Sequence, residues 1–475
     1  MNAQLQTIPL PQAEPTQSEP QPQSQLNIPR WSPTLKIAFR FWIVYLGLYS
    51  LGTQIVTSLF SPTEGSVLPD PATLWPMRSV ISWTGAHILH VNTPLSAFWA
   101  GNSATSDDIF AWVMSFCLLV IAAAATVVWS LLDRNRENYA ELYKWFRLFA
   151  RFGIAGQMFF YGWSKVFLVQ MHYPSLTRLL QPLGTFSPLA LLWNSIGAAP
   201  GYQIFCGFAE VAGGLLLLFP RTTVLGALIS IADMVQVLVL DLSYDVPVRL
   251  LAFNLILLSC FVLAADFPRL VRFLFLNRAT APSTQVRLFR GIRANRIAFA
   301  AQMIFGLWLI GVNFHQFRIY WNNQGPGRPI PPLYGIWEVK QMSVDEQPRQ
   351  PLFTDTTRWR RAIFDYPNRS CAGQYTQVIR TQASTCMAFQ RLDDSLAPYG
   401  ASVNLSDRTI VLTKSGEKDS SANFTFQKPA EDKLILDGRM DNHQVHLELQ
   451  LADRNKFPLV SRGFRWVMEA PYGRN

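Results

Sequence analysis

The stretch "GALISIADMVQVLVLDLSYDVPVRLLAFNLILLSCFVLAA", Gly226 to Ala265, joins two apolar runs through the polar segment Asp241 to Arg249, which holds two aspartates, a tyrosine and an arginine. Each run approaches the length that carries an α-helix across a bilayer core, about 20 residues at 1.5 Å per residue. A connection this short makes the two helices antiparallel neighbours. The same alternation of long apolar block and short polar connection recurs along much of the chain, so the fold expected is a helical membrane bundle.

Composition agrees: of 475 residues 49% are hydrophobic and only 15% charged, and the apolar residues gather in blocks instead of amphipathic periods. Seven blocks qualify as spans: Phe39 to Phe60, Ile109 to Leu132, Phe152 to Val169, Tyr202 to Phe219, Thr222 to Leu240, Val248 to Ala265 and Ile297 to Phe314. Lysines and arginines crowd the connections on one side, from Arg30, Lys36 and Arg40 through Arg134 to Arg151 and Arg221 to Arg269 to Arg296. The other connections between spans hold Arg78, Arg178 and Arg249. The positive-inside rule then puts the N-terminus in the cytoplasm and everything after the seventh span outside, as expected for a bacterial inner-membrane protein. The pI near 9.5 follows from this topology and from anionic lipid, and nucleic acid is not an expected partner.

Residues 1–30 are rich in proline and glutamine and too poor in apolar side chains to fold, so they read as a disordered cytoplasmic tail. No cleavable signal peptide is expected; the first span would serve as the targeting signal. The segment "LWPMRSVISWTGAHILHV" between spans one and two has the spacing of a helix lying at the outer interface. The transmembrane domain covers residues 31–320, and a Gly/Pro linker, 321–335, separates it from the rest.

Residues 336–475 read as β structure. Short runs such as "GIWEVKQM", "YTQVIR", "TIVLTK", "LILDGRM", "QVHLELQL" and "SRGFRWVM" are rich in β-branched and aromatic residues, with turn chemistry between them. Their spacing predicts a small antiparallel barrel or sandwich. Cys371 and Cys386 both fall in this domain, outside the cytoplasm, where they are expected to form a disulfide at the base of an insertion.

Ionisable and amide side chains inside spans are costly and ask for a reason. Lys165, Glu210, Asp233 and Asn254 lie about 6, 12, 10 and 9 Å from the outer ends of their spans at 1.5 Å per residue, a common level in the outer half of the bilayer. Gln157 and Tyr161 precede Lys165 at helical spacing, and Gln236 follows Asp233 by three. Gly207, Gly213 and Gly214 keep the surroundings of Glu210 small, so another backbone can approach. These seven polar residues are the candidate lining of an intramembrane pocket. Asp241, Tyr244, Asp245 and Arg249 are its candidate rim. Asp241 at a helix C-terminus and Arg249 at a helix N-terminus each meet a macrodipole of the wrong sign, by up to about 1 kcal/mol, which suggests partners elsewhere, Lys165 or a bound molecule. Asp245 is placed to cap the second helix and to pair with Arg249. Blander readings stand beside these: Lys165 snorkelling to head groups, Glu210 and Asp233 as a structural pair, and Asn254 as interhelical glue. The six histidines all fall outside the spans or at outer ends, which disfavours a bis-histidine haem. His87 and His90 lack further ligands for a metal, and no metal site is expected. No phosphate loop, dinucleotide fingerprint, nucleophile elbow or zinc-protease motif is present.

The segments "GQMFFYGWSKVF" (Gly156 to Phe167), "FAEVAGGLLLLF" (Phe208 to Phe219) and "YDVPVRLLAFNLILL" (Tyr244 to Leu258), in this order and spacing, resemble the DoxX-like membrane family. The resemblance implies a four-helix core at about residues 145–275 and a membrane subunit linked to redox or sulfur handling. A quinone-like or other small molecule would bind in the outer-leaflet pocket, with protein partners in a membrane redox complex. It names no intrinsic cofactor and leaves open whether the chain is an enzyme. Family members of this type often carry a histidine where Asn254 stands, so the resemblance assigns that position no redox role. The alternative is a non-enzymatic scaffold whose periplasmic β domain binds a partner.

Overall fold

The computed structural model describes residues 30–60, 75–92, 107–280, 287–352, 354–355, 357–367, 384–414, 422–461, 463 and 465–467. They form a helical bundle and a separate closed antiparallel β barrel.

The helices begin where the chain offers caps. Ser32 accepts from the amide of Leu35 at 3.2 Å and Pro33 opens α1 (Pro33–Gly52), while Asp108 accepts from Ala111 at 2.8 Å to start α4 (Ile109–Leu132). Between them lie α2 (Gln54–Phe60) and α3 (Met77–His87). Next come α5 (Ala140–Val166), α6 (Leu176–Leu180), α7 (Pro188–Gly197), α8 (Pro200–Leu218), α9 (Thr223–Ser243), α10 (Arg249–Leu263), α11 (Phe267–Leu274) and α12 (Ile292–Asn323). Among the described residues five helices, α1, α4, α8, α9 and α12, are long and apolar enough to cross a membrane, or six if α10 and α11 count as one span.

Three expectations change here. The first span is not one helix: it breaks after Gly52 and resumes as α2. The sixth continues into α11, but only after a bend of 86°, because Pro268 sits in the first turn of α11 and cannot extend α10. The third, within α5, falls short of the hydropathy of a lone span. Every residue from Ala150 to Phe159 is buried, so the middle of α5 is enclosed by protein, packed among α8, α12, α10 and α2. A helix shielded from lipid can carry the polar groups that α5 carries. A helix does stand where one was expected after the first span, α3, with Trp83 exposed on it and Trp75 exposed just before it.

Close approach of α5 and α8 depends on glycine. A Cβ on Gly207 would stand 2.6 Å from the carbonyl of Gly162, and one on Gly162 would stand 2.9 Å from the carbonyl of Gly207. The two backbones therefore touch where Lys165 and Glu210 leave them.

In the barrel the strands are β1 (Gly335–Val344), β2 (Gln347–Pro348), β3 (Trp359–Asp365), β4 (Ser384–Arg391), β5 (Leu396–Asn404), β6 (Thr409–Lys414), β7 (Ala422–Ala430), β8 (Lys433–Met440) and β9 (His443–Leu451). Consecutive strands pair antiparallel from β3 to β9. β1 pairs with both β3 and β9, which closes eight strands, and β2 adds a short hairpin to β1. Alternate residues point inward, as in Ala422, Phe424 and Phe426 of β7, and the interior is filled by Trp337, Phe364, Phe389, Phe424 and leucines. "SRGFRWVM" is not the strand expected: Pro458 starts a helical turn, α13 (Pro458–Ser461), and the described residues that follow are irregular, since the barrel is already closed. "YTQVIR" and Cys371 lie outside the described residues; Cys386, at the start of β4, is disulfide-bonded.

The barrel sits on the connection after α5. The Leu176 amide donates to Asp365 Oδ2 at 2.7 Å, and Leu176 packs with Ile336, Ile363 and Ala388. Burial raises the Asp365 carboxyl above its usual range, while amide donors and nearby Arg328 and Arg454 pull it back.

Candidate functional site: an acid-rich slot in the bundle

Lys165, the last residue but one of α5, points across the glycine contact into α8, and its Nζ lies 2.5 Å from Glu210 Oε1. Both side chains are buried, Glu210 to 1% exposure. Among the described residues the second oxygen of Glu210 has no partner within hydrogen-bonding distance. Asp233 of α9 lies within electrostatic reach of Glu210 and Lys165, and among the same residues its Oδ2 is also buried without a partner, as is Oδ2 of Asp241 about two turns further along α9.

These groups line one narrow cavity of about 80 Å³, together with Tyr161 and Gln236. Its apolar walls come from α7, α9 and α10, including Leu192, Val237, Leu251 and Leu255, and Gln236 and Tyr202 stand exposed at its mouth. One ammonium faces three carboxyl groups. A carboxylate oxygen that is buried and unpaired costs several kcal/mol, so the free oxygens call for protons, a cation or a hydrogen-bond donor. An oxyanion would meet like charge there. The slot as the side chains stand is narrow, with room for a few water molecules of about 30 Å³ each.

Six of the predicted residues thus share the cavity: Tyr161, Lys165, Glu210, Asp233, Gln236 and Asp241. Gln157 does not. Its amide donates to Ser58 Oγ at 2.6 Å and its carbonyl accepts from Gln54 at 2.9 Å, so it binds α5 to α2. Steps of four residues turn a helix by about 40° each, and by Lys165 the stripe that begins at Gln157 has rotated from α2 to α8. Asn254 also faces elsewhere. Its Nδ2 donates to Leu250 O within its own helix, and it stands beside the phenols of Tyr45 and Tyr49 on α1.

The rim also differs from expectation. Lys165 pairs with Glu210 and not with Asp241. Arg249 binds Asp245, donates through Nε to the backbone carbonyl of Asp241 at 3.3 Å, and lies 3.6 Å from Asp107 Oδ2. Asp245 does not cap α10: its backbone is left-handed at φ 56°, and Val248 occupies the cap position. Tyr244 follows the end of α9 and does not line the cavity.

Two contributors escaped the sequence. Asp107 has a buried side chain beside Arg249, and burial raises its carboxyl while Arg249 opposes the rise. Next to Asp108, a plain helix cap, it carries no local signal. α7 brings Leu192, Trp193 and Ile196 to the slot; the pattern "SPLALLW", serine and proline before an apolar run, marks a helix start that could have been found.

No family model matches the chain, and no solved structure matches it. The uncharacterized protein YwoB of Bacillus subtilis (strain 168) is 30% identical over 118 residues, a match that covers 25% of this chain and 71% of YwoB. The chain belongs to the family that includes YwoB.

Proposed function

We propose that this member of the YwoB family is a DoxX-like integral membrane protein that holds a small hydrogen-bond donor, a cation or exchangeable protons in the slot between α5, α8 and α9. The observation that carries this reading is the 2.5 Å contact of Lys165 with Glu210 beside the unpartnered oxygens of Glu210, Asp233 and Asp241. Lys165 orients Glu210 and offsets one charge. Asp233 and Asp241 supply acceptors, and Tyr161 and Gln236 approach from the inner wall and the mouth. The cytoplasmic N-terminus and the periplasmic barrel belong to the same proposal, supported by the distribution of lysine and arginine and by five helices of spanning length and composition. A role as a subunit of a redox complex fits a slot that exchanges protons. The surplus of acceptors argues against a sulfur oxyanion bound within it. A partner of the barrel would use its outer surface, because side chains fill the interior.

Infrared difference spectroscopy of the purified protein, titrated through the acidic and neutral range in light and heavy water, tests the reading. The expected result is a carboxyl signal that titrates, exchanges with solvent, and disappears in part in Asp233→Asn and in Glu210→Gln. A spectrum that is the same in wild type and both variants rules out a proton-exchanging slot, and if organic extracts also hold no bound small molecule, the proposal fails.

A further inference from the structure

The opposite end of α5 opens into a second, larger cavity of about 410 Å³, within the range of about 300–1,000 Å³ typical of small-molecule sites. We infer that it binds a phosphate-bearing anion, the headgroup of an anionic lipid. Five cationic side chains line it: Lys144, Arg147, Arg151, Arg221 and Arg269. Among the described residues the carboxylate in its wall, Asp266, is divided between Arg147 at 2.9 Å and Arg269 at 2.6 Å, and Glu141 is engaged by Lys144 at 2.5 Å. Among the same residues the five cations outnumber these two carboxylates by three.

Arg151 is the least expected of these. It is 7% exposed, yet among the described residues no carboxylate pairs with it. Its Nε and Nη2 donate to the carbonyls of Leu217 and Leu218 at 3.0 and 2.8 Å, at the end of α8. Arg147 lies four residues earlier on the same face, a like-charge arrangement that is unfavourable without an intervening anion. Arg221, exposed at the rim after the α8 terminus, adds a third arginine on the same side of the cavity.

The position of the cavity selects the class of anion. Its wall includes Leu270 and Phe273 of α11, the helix that turns 86° away from α10. α11 carries Arg269 and Arg272 together with exposed Phe267, Phe273 and Leu274, the composition of a helix lying in a membrane interface. A basic pocket between helices at that level meets lipid phosphates, and guanidinium groups bind them with paired charge-assisted hydrogen bonds.

Binding to the full-length protein in neutral detergent can be measured with three probes: short-chain phosphatidylglycerol, phosphatidylcholine of the same chain length, and inorganic phosphate. Phosphatidylglycerol is expected to bind, and about tenfold more weakly to Arg221→Gln and to Lys144→Gln, each of which removes one charge-assisted contact. Arg290→Gln, an exposed charge outside the cavity wall, is expected to leave binding unchanged. Inorganic phosphate that binds with the same pattern of variants also supports the anion site, and its affinity relative to phosphatidylglycerol tells a free ion from a lipid. Among the described residues Arg221 donates to no backbone carbonyl, so the result for Arg221→Gln stands even if Lys144→Gln is poorly folded. The inference is overturned if neither phosphate compound binds, if phosphatidylcholine binds as well as phosphatidylglycerol, or if Arg221→Gln binds as wild type.

Discussion

The two ends of α5 solve opposite electrostatic problems. Around Lys165 one cation faces three carboxyl groups in a narrow slot, and carboxyl oxygens are left without partners. About 21 Å away, counting fourteen residues back to Arg151 at 1.5 Å each, cations outnumber carboxylates around a cavity five times as large. The first end has a tight internal pair and a shortage of donors. The second has its carboxylates already shared and a shortage of anions. A single helix can hold both because its middle, Ala150 to Phe159, is buried in protein and separates the two clusters. The difference teaches that one helix can leave acceptors over at one end, beside a tight internal pair, and cations over at the other, each suited to something that is not protein.

That contrast can be broken first at the slot. Lys165→Met leaves Glu210 buried without its cation, and removal of one partner of a buried pair costs about 3–5 kcal/mol. A loss of this size in thermal unfolding is expected, far beyond the change expected for Arg221→Gln at the other end. Next in size is Gly207→Val. Its Cβ would meet the Gly162 carbonyl at 2.6 Å and prise α5 from α8, at a cost of about 1–3 kcal/mol. Gly201→Ala, which opens onto free space, serves as its control in the same unfolding measurement. The smallest effect belongs to Asp233→Asn. It keeps the shape and removes one of three crowded acids, so stability is expected to change by less than about 1 kcal/mol, with a gain more consistent with acid crowding than a loss. A large loss would mean that Asp233 is a structural partner of Lys165 and not a spare acceptor.

Much of this was legible in the sequence. Residue spacing and length identified α4 to the residue, the glycine-lined approach to Glu210, the linker before β1, and strands such as Thr409 to Lys414. Depth along a helix is also readable, because it needs only a count of residues, and it brought Lys165, Glu210 and Asp233 to one level. Azimuth is not, because it depends on which neighbour each face meets. For that reason Asn254 turned to α1 although it stands near the right height, while Gln157, about 12 Å deeper than Lys165 at 1.5 Å per residue, turned to Ser58. Asp107 was hidden for a different cause: its importance comes from Arg249, which lies far along the chain, and nothing beside it in sequence announces the pairing. The bend between α10 and α11 was hinted at by Pro268, yet its consequence, a basic cavity at the bundle end, depends on how several separate segments close around it.

A double-mutant cycle on Lys165→Met and Glu210→Gln, read by unfolding in one detergent, tests the central geometry most directly. Convergence of α5 and α8 on one buried pair predicts that the second substitution costs little once the first is made, with a coupling of about 2–3 kcal/mol. Costs that simply add, each small, would mean that the two side chains do not meet, and the slot would have no acid–base core.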